Sequence, residues 1–520
     1  MNEPAGPSRL LRDNVVVALG TGLSRVSGFL RIAVLSTTLG AGGIADAYNL
    51  ANNTPNMVFE LLLGGILTAT LIPVFTTQFD DGDDDATSAV VSTAVIALVV
   101  LSVLTVVGAP LLIRAYTLIA HEDSGNFTDV ATRLARYFLP QIFFYGVTAL
   151  ATSLLNARRR FAAAAFAPAL NNLLVIVVLL VVSRRFDDEI ASGTVSAGLV
   201  HWLGIGTTIG IVMMSIALVP ALTGAGLHLR WRPDFGHRAV RHVLRLSGWT
   251  VGYVVSNQVA LFVVLALALR DGSGGLSAYL YAYTFFQLPH GLLAVSIMTT
   301  FAPDLARAAS AERWHRFRGQ MRLGIQALGL LMLPASAGYI VLSRPLVGLL
   351  RHGNFDATKV QLTADTLASL TVGLFAFSLY LFVLRGFYAL SDTRTPFRIN
   401  VFENALNIVL ALLLFPRYGV QGVAFSYSLA YIVAAAVAWR MLADRVGPIA
   451  GPRTTRSLIQ YMTAAIVTAA ATHLVVDGID EPVLALAAGV PVGVAVYVGA
   501  VFGLRAIELR RGGERRRPLR

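Results

Sequence analysis

Apolar positions in this chain alternate with polar ones at neither the two-residue period of a half-buried strand nor the 3.6-residue period of a surface helix. They run on almost unbroken for about 20 residues at a time. Fourteen such stretches follow one another, at roughly 14–38, 47–77, 87–113, 128–156, 161–183, 194–220, 243–269, 276–303, 323–350, 360–390, 396–415, 419–439, 457–476 and 483–504. About 20 apolar residues carry a helix across a bilayer, and a lone helix satisfies all its backbone groups there. The pattern therefore predicts an all-α polytopic membrane protein of about fourteen transmembrane helices. Pro55, Pro73, Pro140, Pro168, Pro289, Pro303 and Pro334 lie inside these stretches, where each opens the helix ladder or bends it. The first stretch is too long for a secretory signal and carries Arg25 and Arg31, so it is read as a retained span.

Composition agrees with the pattern. Of 520 residues, 56% are hydrophobic and 13% charged, too few charges to cover a soluble surface. The absence of cysteine excludes a disulfide framework, thiolate metal sites and cysteine nucleophiles. The net charge is +12, and every one of the 41 basic residues is arginine except Lys359. With the N-terminus inside, inward loops and tails hold 28 of them and outward loops 8. Positive loops stay cytoplasmic, so the count predicts cytoplasmic N- and C-termini. The acidic run Asp80-Asp81-Gly82-Asp83-Asp84-Asp85 falls on the inner side, but the rule counts positive charges. The basic tail, 507–520, is expected on anionic lipid, and no compact basic domain exists to bind nucleic acid.

A weak internal repeat divides the chain. Pro55 and Pro289 lie 234 residues apart, and Asn172 and Asn407 lie 235 apart, each within similar local sequence. Two six-helix lobes follow, 1–222 and 223–445, then two added helices in 446–506. Repeated halves with broken helices are a transporter signature, and substrate sites of such folds sit near the midplane.

Ionisable groups at membrane depth are functional candidates. Arg25 lies roughly 16 Å into the first span, and Arg31 about 9 Å further; six residues apart, they point about 120° apart. Asp46 and Glu60 reach similar depths in the second span, so Arg31 with Asp46 and Arg25 with Glu60 are candidate pairs. The alternative use of these arginines is a central cavity for an anionic lipid head group, since a guanidinium donates two parallel bonds to phosphate. Arg133 and Arg136, one turn inside the outer end of the fourth span, are expected to snorkel. Arg385 and Glu403 lie at matching depth and are expected to pair. His290 follows a mid-span proline and is either a hydrogen-bonded structural residue or a coupling or gating one. Asn257, Asn404 and Asn407 are candidate oxygen ligands for a coupling cation, sodium or proton, or else interhelical contacts. No other cofactor or metal is expected.

The blocks Ser24-Arg25-Val26-Ser27-Gly28-Phe29-Leu30-Arg31, Ala45-Asp46-Ala47-Tyr48, Leu71-Ile72-Pro73-Val74-Phe75, Leu288-Pro289-His290-Gly291 and Gly386-Phe387-Tyr388-Ala389-Leu390-Ser391-Asp392-Thr393-Arg394-Thr395-Pro396 resemble the MurJ (MviN) family of lipid II flippases, in actinobacterial form. They run in family order from the first span to the eleventh. The resemblance implies the fold of the multidrug/oligosaccharidyl-lipid/polysaccharide exporter superfamily, with two six-helix lobes and two C-terminal helices that cradle the prenyl tail. It also implies transport of lipid II from inner to outer leaflet of the bacterial cytoplasmic membrane by alternating access, for peptidoglycan synthesis. Arg25 and Arg31 match the family's pyrophosphate-binding arginines, and Asp46 its acidic partner. Cell-wall synthesis proteins are then candidate partners. Two positions depart from the family: Phe59-Glu60 stands where many members carry an arginine pair, and Thr284 where many carry an arginine.

Other readings remain open at this point. One is export of drugs or another lipid-linked oligosaccharide. A second is an integral-membrane glycosyltransferase holding a divalent metal on the Asp80–Asp85 loop, whose carboxylates suit magnesium or manganese. A third is a scaffold for cell-wall proteins. The glycine run Gly272-Ser273-Gly274-Gly275 lacks the lysine of a phosphate loop, so transport is expected to draw on membrane potential or a cation gradient.

Overall fold

The computed structural model describes residues 7–61, 65–120, 125–227, 229–238, 240–241 and 248–514. Among them every regular element is helical, with no strand. Chain order gives α1 (Pro7–Leu39), α2 (Gly43–Phe59), α3 (Gly65–Asp80), α4 (Asp84–Val107), α5 (Ala109–Ala120), α6 (Gly125–Phe138), α7 (Gln141–Ala157), α8 (Ala162–Arg185), α9 (Asp187–Ser192), α10 (Ala197–Ile216) and α11 (Val219–Thr223). Then come α12 (Gly248–Arg270), α13 (Gly275–Pro289), a π turn over His290–Ala294, α14 (Val295–Ser310), α15 (Trp314–Gly348), α16 (Ala357–Thr371), α17 (Leu374–Ala389), α18 (Arg394–Val446), α19 (Pro452–Val476) and α20 (Pro482–Glu514).

Eleven of the described helical segments are long and apolar enough to cross a membrane, or twelve with α16 and α17 counted as one span bent by 44°. The count differs from fourteen for identifiable reasons. The expected eleventh and twelfth spans are two helices that kink apart at Gly419 (φ 54°, ψ −140°), and the 53-residue α18 counts them as one. That conformation is open to glycine and strained for a residue with a Cβ. The expected second span comprises α2 and α3, with 62–64 between them outside the described residues. The third is already counted as α4 and runs on past Gly108 into the short α5, so it leaves the count unchanged.

Packing divides the chain into two units. The first holds residues up to Ser277 together with Gly353–Phe355; the second holds Ala278–His352 and Asp356 onward. The repeat groups 223–277 with the second half of the sequence, whereas packing groups α12 with α3 and α5 in the first unit. Within the first unit α1 packs along α8, α2 along α6, and α3 along α7. Membrane helices meet most closely where one side is small. At Gly20, a Cβ would stand 2.7 Å from the Cβ of Ala165. Asn172 fastens the same interface, its Nδ2 donating to Ser24 O at 3.2 Å and Ser27 Oγ at 3.1 Å. The first unit also takes in the 353–355 turn: Asn354 N donates to Thr37 O (3.1 Å) and Asn354 Nδ2 to Thr38 O (2.8 Å). In the second unit α19 and α20 pack on each other and on α15, while α17 lies against α18.

The sequence blocks that lie in turns have structural tasks. Asp392, between α17 and α18, accepts from Arg394 N at 2.9 Å and Thr395 N at 3.0 Å. Arg445, from the far end of α18, donates to Asp392 Oδ2 and to Thr395 Oγ1 (2.9 Å). Burial pushes the Asp392 carboxyl up, but hydrogen bonds from Thr395 and the Arg445 guanidinium outweigh it and hold the group below the usual carboxylate range. In the 80–85 run, Asp83 Oδ1 caps α4 by accepting from Ala86 N at 2.8 Å. Asp85 pairs with Arg232 at 2.5 Å. Those aspartates cap a helix and dock the following basic strap, whose Arg230 N and Arg232 N donate to Ser88 Oγ and Ser92 Oγ.

Candidate functional site

The two arginines of α1 have different surroundings. Arg25 is exposed, whereas Arg31 is partly buried. The 120° between them explains this. Arg31 lines up with Ser24, Ser27 and Gly28 on the side that meets α8, whereas Arg25 points away from that line. The Arg31 charge acts on the phenols of Tyr48 in α2 and Tyr145 in α7. Tyr48 is buried, shares a 3.0 Å hydrogen bond with Thr207 Oγ1, and meets Phe138 edge-on with ring centroids 5.4 Å apart. Tyr145 stacks at a tilt on Phe59 at 6.0 Å and reaches Gln141 Oε1 at 3.4 Å. Two aromatic walls therefore hold the ground beside Arg31. Among the described residues no carboxylate pairs with either arginine.

Asp46 takes another partner. It is 1% exposed and its Oδ2 accepts from Gly274 N at 2.6 Å. Its Oδ1 accepts from Ser277 N at 2.8 Å and Ser277 Oγ at 2.6 Å. Asp46 thus serves as an N-cap, in trans, for the first turn of α13, satisfying donors that a helix start leaves open. The glycine run supplies the turn: Gly272 and Gly274 have φ of 90° and 103°. Asn49, one turn along α2, adds Nδ2 to Ser277 Oγ at 2.9 Å. The expected Arg31–Asp46 pair is replaced by this cap because the carboxylate finds three convergent donors at the end of its own helix.

Glu60 stands in a π turn that follows α2, partly buried, and forms no ion pair with Arg25. The second π turn, at His290–Ala294, follows Pro289. Each half of the repeat thus opens its helix shortly after the matched proline; such turns are frequent at functional sites. His290 is buried, its Nδ1 lies 3.0 Å from Ser378 Oγ, and its ring packs on Phe377 at 4.6 Å. Asn404 Nδ2 donates to Asn400 O at 2.9 Å, and Asn407 Oδ1 accepts from Ser426 Oγ at 2.9 Å. Asn257 is partly exposed on α12.

Three expectations change or sharpen here. Arg385 is exposed while Glu403 is 1% exposed, so the pair predicted from depth does not form; the two side chains leave their helices on different faces. Arg133 pairs with Asp129 at 2.6 Å, one turn away on α6. At the positions where arginines are expected from the resemblance, Phe59 is buried against Tyr145 and Thr284 Oγ1 donates to Leu280 O at 3.0 Å. Packing and helix-internal bonding replace charge there. Sequence reasoning missed Tyr48, Tyr145, Gly274 and Ser277. A buried tyrosine beside a membrane arginine carries no local signature, although Tyr48 lies within the block Ala45-Asp46-Ala47-Tyr48.

Alongside α19 and α20 runs an apolar groove of about 600 Å³, with Leu331, Tyr339, Val490, Val494 and Phe502 on its walls and Arg505 at one end. Arg505 Nη2 also donates to Tyr461 Oη at 2.8 Å, which fixes a cation on the wall of a mostly apolar slot.

Comparison with known proteins gives one consistent result. Residues 35–484 match the family model described as lipid II flippase MurJ. A probable lipid II flippase MurJ of Rhizobium meliloti is 28% identical over 513 residues, covering 94% of this chain and 92% of that one. The lipid II flippase MurJ of Burkholderia cenocepacia is 26% identical over 473 residues, covering 89% and 90%. A solved lipid II flippase MurJ in an inward closed conformation has a TM-score of 0.79 at 22% identity, covering 95% of this chain and all of that one. An inward-facing multidrug resistance transporter of the MATE family and MOP superfamily shares the fold at a TM-score of 0.68 and 15% identity, covering 81% of this chain and 95% of that one. The chain therefore belongs to the MurJ family of lipid II flippases, a multi-pass membrane transporter family rather than a family of enzymes.

Proposed function

We propose that Arg31, assisted by Arg25, holds the pyrophosphate of lipid II during its passage from inner to outer leaflet. The observation that carries this reading is the Arg31 guanidinium itself: a cation at membrane depth, partly buried beside Tyr48 and Tyr145, with no carboxylate to neutralise it among the described residues. An unpaired charge at such a depth is expensive, and an anionic ligand offsets that expense.

The long prenyl tail occupies the groove of α15, α19 and α20, whose lining is mostly apolar and includes Arg505. Both termini lie in the cytoplasm, and anionic lipid holds the basic tail. Transport follows alternating access, energised by the membrane potential or a cation gradient, with His290 at the π turn absorbing the helix bend. Asp46 takes a supporting part by fixing the start of α13. Asn257, Asn404 and Asn407 remain candidates for the coupling cation through their side-chain oxygens.

The test is binding of undecaprenyl pyrophosphate to purified protein, read by quenching of tyrosine fluorescence. Arg31→Ala is expected to weaken binding at least tenfold, equal to about 1.4 kcal/mol. Val494→Trp, which fills the groove, is expected to weaken it while leaving short-chain pyrophosphate binding unchanged. Equal binding by wild type and Arg31→Ala would remove the arginine from the site.

A further inference from the structure

Glu403 lies ten residues into α18, about 14 Å along the helix axis from its start. It is 1% exposed, and its Oε2 has no hydrogen-bond partner among the described residues. No arginine, lysine or histidine lies within ion-pair distance of it there. The ionisable groups that act on it are phenols. Tyr279 and Tyr283 on α13 are in electrostatic range. Tyr283 accepts from Gln287 Nε2 at 2.7 Å and meets Tyr427 edge-on at 5.9 Å. Tyr431 and the α17 residue Tyr380 extend this cluster, with ring centroids 5.4 Å apart. α16 packs on α18; its buried residues Val360, Thr363, Ala364, Thr366, Leu367, Leu370 and Thr371 carry no charge, and the half-buried Asp365 on the same helix accepts from Gln361 Nε2. On its own helix the neighbours are Asn400, Asn404 and Asn407, all buried and neutral. Arg385 on α17 and Arg398 on α18 are exposed.

A carboxylate in this setting would be an uncompensated buried charge, which proteins avoid by neutralising the group. A neutral acid fits the same space with no net charge to solvate. A glutamine would fit equally well, so packing alone does not account for an acid at this position. Unpaired acids at membrane depth serve proton relays.

We propose that Glu403 is a proton-carrying site: in this state it holds its proton as the neutral acid, and it releases that proton to water when the surrounding helices admit solvent. The exchange is a single proton transfer. Hydronium on one side of the membrane protonates the carboxylate, and the acid later donates to water on the other side, with no other bond made or broken. One elementary charge then moves with the cycle, which gives the membrane potential a handle on transport.

The experiment uses the full-length protein in lipid vesicles and infrared difference spectroscopy around neutral pH. Wild type is expected to show the C=O stretch of a protonated carboxyl, and Glu403→Gln to lose it. A second arm measures lipid II transport against pH. There Glu403→Gln is expected to lose the pH dependence shown by wild type, and Glu403→Asp to retain it with a shifted midpoint. The spectroscopic arm needs no substrate, so it stands apart from the lipid II reading on which the transport arm rests. Should Glu403→Gln fail to fold, Glu403→Asp is expected to move the band instead. A spectrum unchanged by both substitutions, a Glu403→Gln variant with the wild-type pH profile, or loss of the band on adding sodium chloride at fixed pH would overturn the proposal.

Discussion

Replacing Asp46 by alanine strands three donors at once: Gly274 N, Ser277 N and Ser277 Oγ, at 2.6, 2.8 and 2.6 Å from its oxygens. A hydrogen bond to a charged group contributes about 1.5–3 kcal/mol, and a buried donor left unmade costs about 1–3 kcal/mol. Three bonds sharing one carboxylate do not add, because water reaches the turn once the side chain is gone. The expected loss for Asp46→Ala is therefore about 2–4 kcal/mol, more than one hydrogen bond to a charged group and less than the sum of three. Asp46→Asn keeps the shape and one acceptor but turns an NH₂ toward a donor, for a loss of about 2–3 kcal/mol. Ser277→Ala removes one bond to Asp46 and also the acceptor of Asn49 Nδ2, for about 1–2 kcal/mol. Because the two side chains touch, the double variant should recover about 1–2 kcal/mol relative to the sum. Reversible unfolding of the purified protein in mixed micelles by increasing dodecyl sulfate measures all four corners of the cycle. An Asp46→Ala loss under about 1 kcal/mol, or strict additivity with Ser277→Ala, would refute the cap.

Other positions allow equally direct checks. Gly353→Ala is expected to destabilise by at least about 2 kcal/mol, since its φ of 56° disfavours a Cβ and that Cβ would stand 2.4 Å from Thr37 O; thermal melting in detergent reads this, and wild-type melting would contradict it. Asn172→Ala removes two bonds that tie α8 to α1, and the same measurement should show a loss of about 1–2 kcal/mol. Asp392 sits below its ordinary carboxylate range in the folded protein, so its stabilisation is present above the unfolded-state value and fades as pH falls through the folded one. Asp392→Asn should therefore cost about 1 kcal/mol at neutral pH, with the gap to wild type closing in acid; a gap independent of pH would argue that the carboxylate charge is not what Arg445 and Thr395 hold.

The architecture was readable because a bilayer leaves few options. Long apolar stretches announce helices, and the 80–85 run interrupts them visibly, whereas the break at Gly108 falls inside the stretch read as 87–113. What one sequence does not announce is how sharply a break turns. Gly419 looks like any loop glycine, and its non-helical conformation (φ 54°, ψ −140°) kinks α18 into the two spans expected there. The cationic side of the site was equally visible, since arginines inside an apolar stretch are rare. Their partners were not. Depth matching paired Arg31 with Asp46 and Arg385 with Glu403, but depth fixes only one coordinate, and side-chain azimuth and the nearest donors decide the rest. Asp46 reaches Ser277, 231 residues along the chain, and Glu403 turns into a tyrosine-lined interior. Long-range hydrogen bonds of this kind have no local periodicity to betray them.

We propose that the α1 arginine beside Tyr48 and Tyr145 carries the substrate's charge. The most direct test uses cells whose own lipid II flippase can be shut off, with this chain expressed in its place and lipid II on the outer face measured by an enzyme that cleaves only exposed head groups. Wild type should restore exposure, Arg31→Ala should abolish it at normal membrane abundance, and Arg31→Lys should restore only part, because lysine lacks the bidentate fork. Full exposure with Arg31→Ala would contradict the account and place the head group elsewhere in the molecule.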